Sequence, residues 1–265
     1  QFLYFIGRSN LAMLRTPVRR NRGPLPQMLL PKRMILVRHG ESAGNVDPSA
    51  YSTTPDWKIS ITARGEEQAR DAGKRLAKLI GHDPLYIFVS PYYRTQQTLR
   101  QILKSIRHDQ IINVREDPRL REQDMGNLQN AKEMDRLWAE REAFGRFFYR
   151  FPNGENGADV CDRVSSFLEM LAREREIIAH PHETNQIIVT HGLLMRLFVK
   201  RWFHLPVETF HLMVNPPNCA CVIFERQGKG RDQRLVLTEE SRDMLQIPKS
   251  VMLNGRYETR NWRTG

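Results

Sequence analysis

Met34-Ile-Leu-Val-Arg-His-Gly-Glu-Ser-Ala-Gly-Asn45 decides the fold of this chain. Four apolar residues, Met34 to Val37, read as a fully buried strand, and Gly40 and Gly44 let the next turn fold tightly. The strand therefore delivers Arg38 and His39 to its C-terminal end, the edge at which open α/β sheets bind ligands. Arginine, histidine and a glycine-bearing turn at such an edge suit a small anion, because guanidinium keeps its charge and offers a planar fork of donors.

Further along, the same grammar repeats. Tyr86 to Val89 form an apolar run that empties into Ser90-Pro-Tyr-Tyr-Arg94-Thr-Gln-Gln-Thr98, and Ile187-Ile-Val-Thr into His191-Gly192. Between them stand Leu120-Arg-Glu122-Gln-Asp-Met-Gly126 and Phe151-Pro-Asn-Gly-Glu-Asn-Gly157, with Asp162-Arg163 downstream. Helices are predicted over 66–80, with Thr62 as a cap, over 94–106, 131–149 and 193–203, and within 157–180. Additional strands are predicted at 111–114 and 219–224. Alternation of strands with helices predicts an α/β fold with a mostly parallel central sheet flanked by helices. No internal repeat or heptad run interrupts it.

Arg38-His39-Gly40, followed in order by these four segments, resembles the histidine phosphatase superfamily, the phosphoglycerate mutase-like enzymes. The longer form ending in Asn45 looks like a plant and protist group of small phosphoglycerate mutase-like proteins. Each piece alone is weak: Arg94 by itself would read as a solvated arginine at a helix start, Glu122 as a surface acid. Their order carries the likeness, which runs from about Met34 to about Glu225. The resemblance implies that His39 is a nucleophile forming a phosphohistidine, that Glu122 protonates the leaving oxygen, and that His191 completes the catalytic set. It implies a phosphate site of Arg38, Asn45, Arg94 and Gly192. Asp124, two residues from Glu122, is the alternative acid. Near the arginines His39 should lose its proton easily, since positive charge disfavours imidazolium. Two departures, Asn156 where serine is usual and Met125 where an aromatic is common, bear on substrate preference. No cofactor and no metal is called for: the arginines supply the positive charge, and no pair of histidines has metalloprotease spacing.

Glu122 and His191 are 69 positions apart, a compact spacing similar to the phosphatase branch. A phosphomonoester hydrolase acting on a phosphorylated small molecule or phosphoprotein is the leading reading. A phosphoglycerate-type mutase, and an accessory subunit of a larger assembly, are the alternatives.

Composition adds bounds. With 265 residues, 40% hydrophobic and 27% charged, the chain can bury one large α/β core. No apolar run reaches the length of a membrane span, and three cysteines are too few for a disulfide framework. The net charge of +11 is uneven, since Arg8, Arg15, Arg19, Arg20, Arg22, Lys32 and Arg33 precede the first acid. The division predicted is a basic extension over 1–33, a catalytic domain over 34–225 and a tail over 226–265. An acid-free, arginine-rich extension resembles a mitochondrial transit segment. It equally suits docking on a protein or RNA-containing assembly, with a cytoplasmic location as the alternative address.

Overall fold

The computed structural model describes residues 30–126, 131–174, 180 and 182–253. In chain order the elements are β1 (Arg33–Arg38), α1 (Ala43–Val46), α2 (Ala50–Thr53), α3 (Ala63–Ile80), β2 (Leu85–Val89), α4 (Tyr93–Leu103) and β3 (Ile111–Glu116). There follow α5 (Ala131–Phe144), α6 (Gly157–Glu174), β4 (Asn185–Thr190), α7 (Gly192–Trp202), α8 (Val207–Leu212), β5 (Cys221–Gln227), β6 (Arg234–Leu237) and α9 (Glu239–Met244).

The six strands form one sheet in the order β3-β2-β4-β1-β5-β6. β1, β2, β3 and β4 run parallel, and β5 reverses direction against β1. Continuous apolar runs suit strands covered on both faces. Successive side chains alternate sides, so Met34, Leu36, Phe88 and Ile188 join the core under α6 and α7. Ile35, Val37, Ile87 and Val189 join the core under α3 and α4. Three layers result, helices on each side of the sheet, as the sequence predicts.

Several boundaries move. The helix predicted over 131–149 stops at Phe144, because Gly145 has φ +108, a conformation that breaks the helix and favours glycine. Residues 226–253 are not a tail: β6 pairs with β5, and Leu235, Leu237, Leu245 and Ile247 fill the same core as β1. The alternation in this stretch is too short and polar to announce a strand. At the other end Leu30 is fully buried, while Lys32 pairs with Asp83 at 2.6 Å and Arg33 with Glu225 at 2.9 Å. Two of the seven N-terminal cations thus belong to the domain. Residues 1–29, on which docking and mitochondrial address were predicted, lie outside the described residues. Among the described residues no helix is long and apolar enough to cross a membrane.

Candidate active site

Three adjacent strands, β2, β4 and β1, end at one edge, and each is followed directly by a polar residue. The register pairs Arg38 with Thr190 and Val89 with Val189, so the residues that follow, His39, His191 and Ser90, emerge side by side. The ladder extends one step beyond the strands, His39 N–H donating to the Thr190 carbonyl at 3.0 Å and Ser90 N–H to that of Val189 at 3.0 Å. The two histidine rings meet edge to face with centroids 5.3 Å apart.

His39 Nδ1 lies 2.8 Å from the Gly40 carbonyl. A carbonyl only accepts, so Nδ1 carries the proton and the lone pair resides on Nε2. Burial, and then the charges of Arg94 and Arg38, hold the ring's pKa well below its ordinary value of 6.5. His39 is therefore neutral with Nε2 as its basic atom. His191 is neutral for related reasons, burial first and Arg94 second. Its Nε2 is 2.9 Å from Ser90 Oγ. Tyr92 N–H donates to that oxygen at 3.4 Å, and with the serine hydrogen pointing at Nε2 the His191 proton sits on Nδ1. That Nδ1 is buried and has no partner among the described residues.

Arg38 Nη1 donates to the Pro216 carbonyl at 2.7 Å, and its buried Nε has no partner among the described residues. Arg94, at the start of α4 and only 2% exposed, is held by Asp56, whose carbonyl and carboxylate each accept from Nη1 at 2.7 Å. Thr98, one turn on, donates to the Arg94 carbonyl at 2.7 Å and accepts the Gly40 N–H at 2.9 Å. This ties the turn after β1 to α4. The same turn crosses α3 at backbone contact: a Cβ on Gly65 would sit 2.2 Å from the Glu41 carbonyl oxygen, and one on Gly40 2.5 Å from that of Gly65. Both crossing positions must be glycine.

Asn45 is exposed, and its Oδ1 accepts from Ser42 N–H at 3.1 Å and Asn218 Nδ2 at 3.2 Å. Asn218 also donates to the His39 carbonyl at 3.0 Å, so it bridges Asn45 and the histidine turn. Gly192 opens α7 directly after His191, so the amide end of that helix faces the same edge.

Glu122 is half-buried, and its charge acts on Arg38, Tyr51 and Tyr92. It is positioned by a clamp from α6. Arg163 donates to the carbonyls of Arg119, Arg121 and Glu122 at 2.7, 2.8 and 3.1 Å, and pairs with both oxygens of Glu155 at 3.0 Å. Glu155 in turn accepts from Arg121 and from Asp124 N–H. Asp124 is exposed, and its Oδ1 accepts the Gly126 N–H at 2.8 Å, closing its own turn. Asn156 caps α6: its Oδ1 accepts Asp159 N–H while Asp159 accepts Asn156 N–H, both at 2.9 Å. Asparagine does this as well as serine. The departure at 156 thus serves the helix end. Met125 is half-buried in the turn between Asp124 and Gly126.

All seven predicted residues gather at or beside this edge. Sequence reasoning missed Asp56, Thr98, Asn218, Tyr51 and the function of the Glu155–Arg163 pair. Only the pair had a signal, in the Gly-Glu element and the arginine eight residues on.

A family model described as "Histidine phosphatase superfamily (branch 1)" matches residues 34–238. The phosphoglycerate mutase-like protein AT74 of Arabidopsis thaliana is 50% identical over 224 residues, 80% of this chain and 71% of that protein. The broad-range acid phosphatase DET1 of Saccharomyces cerevisiae is 26% identical over 291 residues, covering 74% of this chain and 85% of that protein. In fold, the chain is similar to a mycobacterial glucosyl-3-phosphoglycerate phosphatase, with TM-score 0.60 and 23% identity over 78% of this chain and 97% of that one. With the match spanning β1 to β6 and the two histidines at adjoining strand ends, the chain belongs to the histidine phosphatase superfamily.

Proposed function

We propose that this protein is a phosphomonoester hydrolase working through a phosphohistidine on His39. The observation that carries the reading is the Nδ1–H contact with the Gly40 carbonyl, which leaves a neutral ring with its lone pair on Nε2. Arg38 and Arg94 hold the phosphoryl oxygens, and Arg38 Nε–H and His191 Nδ1–H are buried donors that those oxygens would satisfy. Nε2 attacks phosphorus as the P–O bond to the leaving group breaks, and Glu122 gives that oxygen a proton. The Gly40 carbonyl offsets the positive charge the ring gains. Water then attacks the phosphoryl group, Glu122 takes its proton, the P–N bond breaks, and Nε2 regains its lone pair. One displacement becomes two easier ones.

A mutase would return the phosphoryl group to bound product, so inorganic phosphate would not accumulate. The 69-position spacing from Glu122 to His191 favours the hydrolase. The test is to mix the full chain with a panel of phosphomonoesters in excess chelator, quench in alkali, and follow labelled enzyme and free phosphate together. Labelled enzyme that decays at the rate phosphate appears, and is absent from His39→Ala, is the expected result. Turnover by His39→Ala, or phosphoryl return without phosphate release, would refute the proposal.

A further inference from the structure

On the α3 side of the sheet, β5 is incompletely covered. Cys221 and Ile223 pack on the same core face as their ladder partners Val37 and Ile35, but they are only partly buried. Over them opens a groove of about 420 Å³, walled by Leu76 and Leu79 of α3 and by Met244 of α9. That volume falls in the range of small-molecule sites, and an apolar lining with few polar groups is their usual chemistry. Residues 217–220 supply a further wall.

That wall is the back of the segment that holds the His39 turn. Pro216, just ahead of it, accepts from Arg38 at 2.7 Å, and Asn218 donates to the His39 carbonyl at 3.0 Å. Cys219 N–H donates to the carbonyls of Arg38 and His39 at 3.2 and 3.3 Å. It does so with φ +57, a left-handed conformation that a residue other than glycine keeps only where its surroundings impose it. The groove thus lies against a strained residue that is bonded, on its other side, to the turn carrying Arg38 and His39.

Two charged residues line the groove, Arg75 on α3 and Glu240 on α9, and they are not equivalent. Arg75 donates from Nη2 to the Cys219 carbonyl at 3.3 Å, which fixes its guanidinium beside the wall. Among the described residues no carboxylate comes within ion-pair distance of it, so its remaining donors are unspent. Glu240 is exposed, and among the described residues neither a hydrogen bond nor an ion pair anchors its carboxylate. A cation already held in place recognises an anion at lower entropic cost than a free side chain recognises a cation. With Glu240 across the groove, one negative charge suits the site better than the two of a phosphate monoester.

We propose that this groove binds a carboxylate with an apolar tail, the head on Arg75 and the tail over Cys221 and Ile223, and that the occupant strengthens anion binding at the active site by bracing residues 217–220. The groove is open in the same conformation in which Asn218 and Cys219 hold the His39 turn. A ligand that selects this state favours both sites, and the coupling is reciprocal. The site goes beyond the phosphatase reading, since both ligands are followed by binding and no turnover is needed.

Calorimetry on the full chain would use octanoate as the probe, octylammonium and butanoate as controls, and inorganic phosphate as the active-site ligand. Octanoate should bind about tenfold tighter than either control, by its charge against one and by its buried methylenes against the other. Saturating octanoate should tighten phosphate binding by about fivefold. Arg75→Gln, on an exposed helix position, should erase the preference over octylammonium. Cys221→Leu, which fills the groove, should weaken octanoate by about tenfold and leave the affinity for phosphate alone unchanged. If that variant fails to fold, by circular dichroism, Met244→Trp narrows the groove from its other wall and should do the same. Octanoate that binds no better than octylammonium, or keeps its affinity in these variants, would overturn the site. Competition between octanoate and phosphate would place the carboxylate on the active-site arginines instead, and mutually indifferent binding would refute the coupling.

Discussion

Glu155 and Arg163 face each other as a two-pronged pair, 3.0 Å on each side, and Arg163 spends its other donors on the three carbonyls that lead to Glu122. Both side chains are nearly buried, at 13% and 9% exposure. Removing one partner strands the other's charge, which costs about 3 kcal/mol. Glu155→Gln should lower the melting temperature and also cut kcat on alkyl phosphates by roughly 10-fold or more, because the acid is no longer held. Unchanged kcat in a folded variant would show that the clamp is purely architectural.

Glu122 and Asp124 are separable by leaving group. Each accepts a nearby backbone N–H, Asp124 from Gly126 and Glu122 from Gln123, but Asp124 is exposed, whereas Glu122 is half-buried and acts electrostatically on Arg38. Glu122→Gln should slow alkyl phosphates by roughly 10²-fold while sparing activated aryl phosphates, which leave without a proton. Asp124→Asn should change both classes alike and little. The reverse pattern in steady-state kinetics would reassign the acid.

The histidines set a direction for pH. Both fold with pKa values well below 6.5, so the unfolded chain binds more protons than the folded one as pH falls through 6.5. Their contribution to stability is complete above about 6.5 and declines below it, toward the depressed folded values. Thermal melts from pH 8 to 5 should show this loss, reduced in His191→Gln. Turnover should show no acid limb centred near 6.5, since His39 stays neutral there. A kcat profile with its midpoint at that value would contradict the burial-driven shift.

Gly65→Ala tests the crossing of α3 with the turn that carries His39. The new methyl would meet the Glu41 carbonyl at 2.2 Å. Backbone cannot yield as a flexible side chain does, so the cost is about 3 kcal/mol, near 10 °C in melting temperature. Turnover should fall with it, because the turn that moves carries His39. A stable, fully active Gly65→Ala would mean that the helix and turn can separate.

The sheet and its ligand edge were legible because the runs before Arg38, Ser90 and His191 are apolar on both faces and end abruptly in polar residues. The residues that gather at that edge were legible as an ordered set. Asp56 was not, since an aspartate in a 3-10 turn has no local pattern that points 38 positions ahead to Arg94. β6 was missed because four residues, half of them facing the core, are too few for a period to emerge.

The place of β4 between β1 and β2 governs how the chain is made. β1 and β2 have no ladder with each other, so a growing chain that has emerged through α6 holds two apolar strands without the one that joins them. At ordinary ribosomal speeds the interval between His39 and His191 is roughly ten to thirty seconds. During it the chain exposes unpaired strand edges, the state most open to aggregation and to chaperones. His39 is therefore synthesised early but acquires its neighbour His191 late, and a chain truncated before residue 185 should be an aggregation-prone, inactive product.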